Sequence, residues 1–336
     1  MKIYVDGMGG DNSPSEIVKG CVLAIKEYNI NVSIIGIQEE IQKELWKYKY
    51  DEDKIGIINA TEIVSNDDEP TLAIRRKKNS SLVIGMNLIK ENDNSVLISA
   101  GNTGALLAGG LLKIGRIKGI LRPALAPIIP TKLGPCLLID AGANADCKPK
   151  QLQQFAIMGS IYMQKVIGKD NPRVGLVNIG SEEKKGNELT KETFKLLKEC
   201  NINFIGNVEA RDIPYGVTDI IVCDGFTGNV ILKLIEGLAS FIMHSLKDTM
   251  LSTTKGKIGG LFLKTSLKNF KNQFDYSEYG GAPFLGINGG LIKAHGSSDA
   301  NAIKNAIRQG IKYLEQEVDS NIEEEIKKID IKEKGE

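Results

Sequence analysis

Short apolar runs alternate with longer amphipathic segments along most of the chain. Residues 3–5 and 96–98 are typical of the short runs, whereas residues 17–28 repeat apolar positions every three or four residues. The first pattern predicts buried strands, and the second predicts helices with one apolar face. Because the two kinds of segment alternate, the chain predicts βαβ units that build a mostly parallel sheet.

The same pattern places the individual elements. Ser13 is predicted to cap the first helix, with Glu16 closing a capping box. The proline-punctuated segment 122–127 predicts an edge strand near a boundary between two lobes. Predicted strands cover residues 2–5, 32–37, 55–58, 96–98, 136–139, 174–179, 204–208 and 220–222, and predicted helices cover residues 14–28, 39–48, 81–91, 151–166 and 229–250.

Two predicted strands run into the same glycine pattern, G-x-T-G, directly before a helix. The first corner is Gly101-Asn102-Thr103-Gly104 and the second is Gly225-Phe226-Thr227-Gly228. A strand that enters a helix through glycines brings backbone N–H groups and the positive helix end together, which suits an anion. Either corner could instead be a helix N-cap with threonine as the capping residue. The occurrence of two such corners favours an anion site in one cleft.

Residues 229–276 predict a helical hairpin that projects from the α/β body. Its long apolar stripe needs a partner surface, which makes it a natural dimer element. Apolar residues beside lysines at the tip also suit shallow insertion into an anionic membrane surface. Packing within the dimer is the alternative, and the sequence does not choose between them. The tip residues are Ile258, Leu261, Phe262 and Leu263.

Composition narrows the class of protein. With 336 residues, 42% of them hydrophobic and 25% charged, the chain can form a large core. Residues 1–318 are predicted to form one two-lobed unit, and residues 319–336 a charged, solvated helical tail. A net charge of +1 gives no bulk attraction to nucleic acid. The N-terminus reaches Asp6 after three apolar residues, and no uninterrupted apolar run could span a bilayer. These features predict a cytoplasmic protein.

Metal and nucleophile signatures are missing from the sequence. The five cysteines are scattered without a C-x-x-C pair, which predicts reduced thiols rather than a zinc site. The sequence contains no G-x-S-x-G elbow and no H-E-x-x-H motif. We therefore expect no metal, no cofactor and no covalent serine nucleophile.

Polar residues collect where predicted strands end. Lys184 and Lys185 could hold a doubly charged anion and stabilise an oxyanion, unless Glu182 and Glu183 neutralise them on an exposed loop. His295 could act as an acid or base, bind an anion, or only shape a turn. The other candidates are Asp140, Asn144, Asn178, Gly180, Asn187, Arg211, Asp224 and Asn229. The residues alone indicate an α/β enzyme that binds a small phosphate-like anion without metal.

Several segments together resemble a known family. In chain order they are DGMGGDNSP at 6–14, SAGNTGA at 99–105, RPALAP at 122–127, DAGAN at 140–144, GLVNIGSEEKKGN at 175–187, NFIGNVEARD at 203–212, DGFTGNVILK at 224–233 and YGGAPFLG at 279–286. This set is similar to the bacterial phosphate acyltransferases of phospholipid synthesis, the PlsX family. Ala210 stands where the family more often has glycine, which puts only that turn in doubt.

The resemblance implies a Rossmann-like, two-lobed fold of the isocitrate and isopropylmalate dehydrogenase type, and a homodimer. It implies transfer of a long acyl chain from acyl carrier protein to inorganic phosphate. The acyl phosphate would then serve a membrane glycerol-3-phosphate acyltransferase, so contact with the inner face of the membrane is expected. Lys184, Lys185 and Arg211 would position phosphate, and His295 would handle a proton or bind.

Two alternatives of other classes stay open. One is a metal- and NAD-dependent decarboxylating dehydrogenase of the same fold, although the sequence shows no D-x-x-x-D cluster near a strand end. The other is a scaffold that binds carrier protein or membrane without catalysis.

Overall fold

The computed structural model describes residues 1–273 and 279–334, with the backbone alone at residues 261, 264, 266–273 and 330–334. The strands are β1 Lys2–Asp6, β2 Val32–Gly36, β3 Ile55–Asn59, β4 Ser95–Ser99, β5 Ala124–Leu125, β6 Ile128–Thr131, β7 Gly134–Ile139, β8 Arg173–Asn178, β9 Asn203–Glu209, β10 Ile220–Val222, β11 Ala282–Leu285 and β12 Gly290–Lys293. The helices are α1 Ser15–Tyr28, α2 Gln38–Leu45, α3 Pro70–Arg76, α4 Ser81–Glu91, α5 Thr103–Gly109, α6 Pro149–Tyr162, α7 Glu188–Glu199, α8 Gly225–Leu251, α9 Thr254–Gln273, α10 Ala300–Glu315 and α11 Val318–Lys334.

Two mostly parallel sheets organise the chain, whereas the alternation of strands and helices predicted mostly parallel pairing without showing a division into two sheets. The first has seven strands in the order β3-β2-β1-β4-β12-β11-β5, and only β11 runs antiparallel to its neighbours. The second has five strands in the order β6-β7-β10-β8-β9, with β6 antiparallel at its edge. The chain passes from the first sheet to the second between β5 and β6. The edge strand predicted within residues 122–127 is therefore confirmed as β5.

Helices cover the sheets according to their apolar faces. Helices α1, α2 and α10 bury one face of the seven-stranded sheet, and α3, α4 and α5 bury the other. Helices α6 and α11 pack on one face of the five-stranded sheet. The amino-terminal half of α8 packs on its opposite face through Ile231. Both sheets thus present the carboxyl ends of their parallel strands to the loops that follow.

The predicted cap of the first helix is wrong. Ser13 donates its hydroxyl to the carbonyl oxygens of Met8 and Gly10, so it shapes the preceding loop. Glu16 accepts the backbone N–H of Ala300 instead, and it thereby satisfies one of the free N–H groups at the start of α10. Glu16 of the predicted capping box therefore links α1 to α10 and does not cap α1.

Helices α8 and α9 follow one another over the predicted hairpin as far as Gln273, and residues 274–276 of that prediction lie outside the described residues. Along α8 an apolar stripe is exposed in this single chain, with Phe226, Leu234 and Phe241 each more than half exposed. By length and composition α8 could cross a membrane, with a mean hydropathy of 1.4 over a window that is 6% buried. The sequence analysis expected no such segment, because charged residues interrupt the apolar run. Length and composition alone do not establish a span.

The charged tail packs more closely than predicted. Helix α11 buries Val318, Ile322 and Ile326 against the core beside α6, so its first turns are not a solvated, fraying helix. Apolar residues four positions apart form this buried face among the many charges. Asp319, beside Val318, accepts a hydrogen bond from the hydroxyl of Tyr313 on α10.

We expect Asp319 to make stability depend on pH. Burial raises the pKa of this carboxyl to about 7, although Tyr313 and the N–H of Gly289 oppose the shift. The folded state therefore holds a proton that the unfolded state releases near pH 4, and stability falls between about pH 4 and pH 7. The carboxyl keeps some solvent contact, so the expected loss is roughly 2 kcal/mol. Urea unfolding of wild type and Asp319→Asn at pH 5 and pH 8 tests this; an equal pH slope in both proteins would contradict it.

Candidate functional site

A cleft of about 610 Å³ lies between the two sheets, and we call it the central cleft. One side is built by the loops after β4 and β12, and the other by the loop after β7 and by α8. Parallel strands of both sheets end here, which is where open α/β sheets bind their ligands. The connection between β5 and β6 forms part of the lining. The sequence analysis predicted that both G-x-T-G corners face one cleft, and the structure puts three residues of the first corner and none of the second in its lining.

One end of the central cleft is polar, and Asp11, Gly101, Lys293, His295 and Gly296 line it. Lys293 ends β12, and its ammonium group donates to the carbonyl oxygens of Ala100 and Ala294. Burial lowers the pKa of Lys293 to about 8, while Asp11 and Asp6 act in the opposite direction. An ammonium group has three N–H donors, so two carbonyls leave capacity for an anion. Lys293 is mainly cationic at neutral pH.

His295 lies at the same end, two residues beyond Lys293. Its Nδ1 lies 3.2 Å from the backbone nitrogen of Ser297, which donates to it, and 2.8 Å from the Ser297 hydroxyl oxygen. A ring nitrogen that accepts a backbone N–H carries no proton in the neutral ring, so the proton is assigned to Nε2. The imidazole is exposed and lines the central cleft. The predicted position of His295 in the site is thus supported, and its catalytic role stays a prediction.

The first corner lines the central cleft through Gly101, Thr103 and Gly104. The capping residue is Asn102, not threonine: its Oδ1 accepts the N–H of Ala105 at 3.0 Å. The N–H of Gly101 donates to the Ser99 hydroxyl, so this group is already used within the protein. The corner is a weaker anion site than the pattern predicted.

The second corner does not form an anion site. Asp224 caps α8 by accepting the N–H and the hydroxyl of Thr227, so again threonine is not the cap. The N–H of Gly225 donates to the carbonyl oxygen of Asn144. A Cβ atom on Gly228 would stand 1.9 Å from the carbonyl oxygen of Asp140. The glycines therefore let α8 approach the loop after β7, and the first residue of α8 that lines the cleft is Asn229.

Asp140 organises that loop and is not available to a ligand. Its carboxylate is fully buried and accepts the N–H groups of Leu125, Ala143 and Asn144, together with the Asn144 side-chain amide. Burial raises the pKa of Asp140, and these donors oppose the shift. Asn144 also donates to the carbonyl oxygen of Pro123. Asp140 and Asn144 were predicted to contact substrate. In the structure they instead bind the backbone at Pro123 and Leu125, where the polypeptide crosses between the sheets.

The charged loop after β8 stands apart from the lining of the central cleft. Lys184 and Lys185 are exposed, and Arg211 is exposed beside Glu209, with their side chains 3.1 Å apart. Glu183 pairs with Lys198 and not with either loop lysine, at 3.4 Å. The structure therefore does not bring these three cations to the polar end within one chain. Their roles in catalysis stay predictions.

The remaining predicted residues of this loop hold its shape. Asn178 donates to the carbonyl oxygen of Lys185 and accepts the N–H of Ile179. Asn187 caps α7 by accepting the N–H of Thr190 at 2.9 Å. Gly180 is buried under the loop. These contacts explain the residue types without a ligand.

Sequence reasoning missed four charged residues of the central cleft: Asp11, Lys233, Glu236 and Lys293. The sequence predicts no strand at residues 290–293, because β12 contains only two apolar residues, Leu291 and Ile292. That short run followed by a lysine was the available signal. Lys233 is three residues before Glu236 on the face of α8 that lines the cleft. Within residues 1–273 and 279–334, no group of three or more His, Cys, Asp or Glu side chains could hold a metal ion.

Several known proteins are similar to this chain over nearly its whole length. The sequence matches the family described as fatty acid synthesis protein over residues 1–321. It is 56% identical to the phosphate acyltransferase of Alkaliphilus oremlandii over 329 residues, which cover 98% of each protein. It is 55% identical to the phosphate acyltransferase of Clostridium novyi over 327 residues, which cover 97% of this chain and 98% of that protein.

Solved structures share the fold at low sequence identity. A phosphotransacetylase from Streptococcus pyogenes superposes with a TM-score of 0.64 at 16% identity, covering 94% of both chains. A 4-hydroxythreonine-4-phosphate dehydrogenase from Klebsiella pneumoniae superposes with a TM-score of 0.53 at 12% identity, covering 93% of this chain and 99% of that one. At these identities the likeness shows the fold alone, and it confirms the predicted two-lobed, dehydrogenase-like α/β architecture.

Proposed function

Because the chain belongs to the fatty acid synthesis protein family, whose similar members are named phosphate acyltransferase, we propose that it transfers a fatty acyl group from acyl carrier protein to inorganic phosphate. The observation that carries this proposal is the central cleft itself. It places the Lys293 ammonium beside an otherwise largely apolar lining that includes Leu107, Leu125 and Phe284. Such a cleft suits a small dianion and an apolar acyl group at the same time.

Phosphate is the nucleophile in this reaction, so no serine or cysteine elbow is needed. One oxygen of the phosphate dianion attacks the thioester carbonyl carbon while Lys293 offsets its charge and holds it in place. The tetrahedral intermediate collapses as the carbon–sulfur bond breaks, and it releases acyl phosphate and a thiol. A thiolate with a pKa of about 8.5 is a good leaving group. We assign to the Nε2–H of His295 a hydrogen bond to the departing sulfur, which leaves as a thiolate and takes its proton from water.

An assay of thiol release from acyl carrier protein thioester tests the proposed function. Release should rise with phosphate concentration and saturate, and hydroxylamine should trap the product as a hydroxamate. Sulfate at matched ionic strength is the control, because it provides a similar anion that forms no stable acyl product. Thiol release that is independent of phosphate would indicate a hydrolase. An intact thioester after hours with phosphate would indicate a binding protein.

The hairpin supports a second part of the proposal, a cytoplasmic homodimer that touches the inner face of the membrane. Helix α8 exposes a stripe that a second copy could cover. At the tip, Ile258, Phe262 and Leu263 are exposed beside Lys255 and Lys257. The side chain of Leu261 lies outside the described residues. This arrangement would keep a labile acyl phosphate near a membrane glycerol-3-phosphate acyltransferase.

Replacing Phe262 with glutamate should release the protein from anionic vesicles. Phe262 is 83% exposed, and inserting a side chain of this size contributes roughly 1.5–3 kcal/mol. We expect partitioning to fall about tenfold or more in a sedimentation assay with vesicles containing anionic lipid. Trp46→Glu is the matched control, because Trp46 is 76% exposed on a different part of the chain. Unchanged binding of Phe262→Glu would assign the tip to packing between two copies.

A further inference from the structure

The side chains that line the central cleft change from polar to apolar along one direction, which the proposed function does not by itself specify. Lys293 on β12 is paired in register with Ala282 on β11, and Phe284 on β11 is paired with Leu125 on β5. Directly paired residues share a face of the sheet, and so do residues two positions apart on one strand. The ammonium group therefore begins a row that continues across the sheet with apolar side chains only.

This row leads from the polar end toward the second sheet. Neighbouring strands lie about 4.8 Å apart, so β5 lies ~10 Å from Lys293 across β11. Beyond Leu125 the chain continues through Pro127 and Ile128, which also line the cleft where it crosses into the other sheet. We call Ala282, Phe284, Leu125, Pro127 and Ile128 the apolar floor.

Two leucines line the central cleft above the apolar floor. Leu107 belongs to α5 and Leu232 belongs to α8, so each comes from an element packed on a different sheet. Both side chains are half-buried and keep surface toward the cleft. The outward-facing Leu234, two residues along α8, is 58% exposed and does not line the cleft.

We propose that the apolar floor, closed by Leu107 and Leu232, holds the acyl chain of the donor and sets the preferred chain length. This inference rests on the proposed function, because it takes the thioester carbonyl to lie at the polar end beside phosphate. The acyl chain runs away from Lys293, because the apolar floor begins at the neighbouring strand. No charged side chain belongs to the apolar floor. An extended chain advances ~1.2 Å per bond, so the ~10 Å to β5 corresponds to roughly eight carbons.

The length of the donor's acyl chain should therefore determine kcat/KM for the donor. Each methylene buried on the floor raises kcat/KM for the donor about fourfold, which gives roughly 250-fold between four and eight carbons. Longer chains add less per carbon as they pass the crossing at Ile128. Acyl carrier protein charged with chains of 4, 8, 12 and 16 carbons, assayed for phosphate-dependent thiol release, provides the profile.

Filling the space above the floor should shorten the accepted chain. Leu232→Trp is expected to lower kcat/KM at least tenfold for 12 and 16 carbons, to change it less than threefold for 4 carbons, and to leave the KM for phosphate unchanged. Leu234→Trp is the matched control on the same helix: it alters the stripe that a second copy could cover, so any change in rate should be by the same factor at every chain length. Leu107→Trp approaches from the opposite wall and should repeat the effect if Leu232→Trp fails to fold in a thermal unfolding scan.

The outcomes separate the two levels of the proposal. If wild type transfers no acyl group to phosphate, the proposed function fails. If wild type is active but its rate is equal for all four chains, the floor does not hold the acyl chain. An equal loss at every chain length in both tryptophan variants would also overturn the inference.

Discussion

Alanine at position 293 is expected to lower kcat/KM for phosphate about a hundredfold. Lys293 provides a charged donor in a part of the cleft where water is partly excluded, and loss of one such donor typically reduces rates by about 100- to 1000-fold. Its ammonium group is already held by the carbonyl oxygens of Ala100 and Ala294. It is therefore positioned before phosphate binds. Initial rates at varied phosphate and saturating acyl donor measure the effect.

The double variant Lys184→Ala, Lys185→Ala provides the comparison. Both lysines are exposed on the loop after β8, outside the lining of the central cleft. If this double variant raises the KM for phosphate more than Lys293→Ala does, the loop holds phosphate and the assignment of Lys293 is wrong. A partner subunit could bring that loop to the cleft, and the same comparison would show it.

The pH dependence of kcat/KM for phosphate is a second test of the assignment of Lys293 to phosphate binding. Because burial lowers the pKa of Lys293 to about 8, the cationic form is lost as the pH rises above that value. Wild-type kcat/KM for phosphate should fall on this alkaline side. An arginine stays charged across the range, so Lys293→Arg should lack the decline even where its lower activity reflects a different geometry.

Gly228→Ala is expected to cost about 3 kcal/mol or more of unfolding free energy. The new Cβ atom would stand 1.9 Å from the carbonyl oxygen of Asp140, far inside any allowed contact. The obstacle is backbone, and that backbone is fixed by the buried Asp140 carboxylate and its N–H donors. The loop backbone cannot move without breaking these hydrogen bonds, so α8 must shift away from it and lose packing. Urea unfolding monitored by circular dichroism measures the change.

Gly237→Ala on the same helix is the matched control. A Cβ atom there meets nothing within 4 Å. Alanine favours a helix interior by roughly 1 kcal/mol over glycine, so this variant should be as stable as wild type or slightly more stable. If Gly228→Ala unfolds with the same midpoint and slope as Gly237→Ala, the close approach of α8 to the loop after β7 is incorrect.

Periodicity predicted most strands and helices because burial of one face is a local property of the sequence. The helix at residues 81–91 and the edge strand near residue 124 were found in this way. Strand β12 was missed because a strand between two others needs few residues, and its two apolar positions gave a weak signal. Its place between β4 and β11 depends on pairing with residues nearly two hundred positions away.

The candidate site was only partly predictable for the same reason. His295 and three residues of the first corner line the cleft, since residues at strand ends meet there. Lys293 reaches Ala100 only through sheet order, which no local pattern shows. Asp140 has a typical ligand position, but the sequence does not tell that backbone N–H groups already satisfy it.

A crystal structure of the protein with bound phosphate tests the central claim most directly. We predict a phosphate at the polar end of the central cleft, within hydrogen-bond distance of Lys293 Nζ and on the side of His295. A phosphate held by Lys184 and Lys185, with the polar end occupied only by water, would contradict the account.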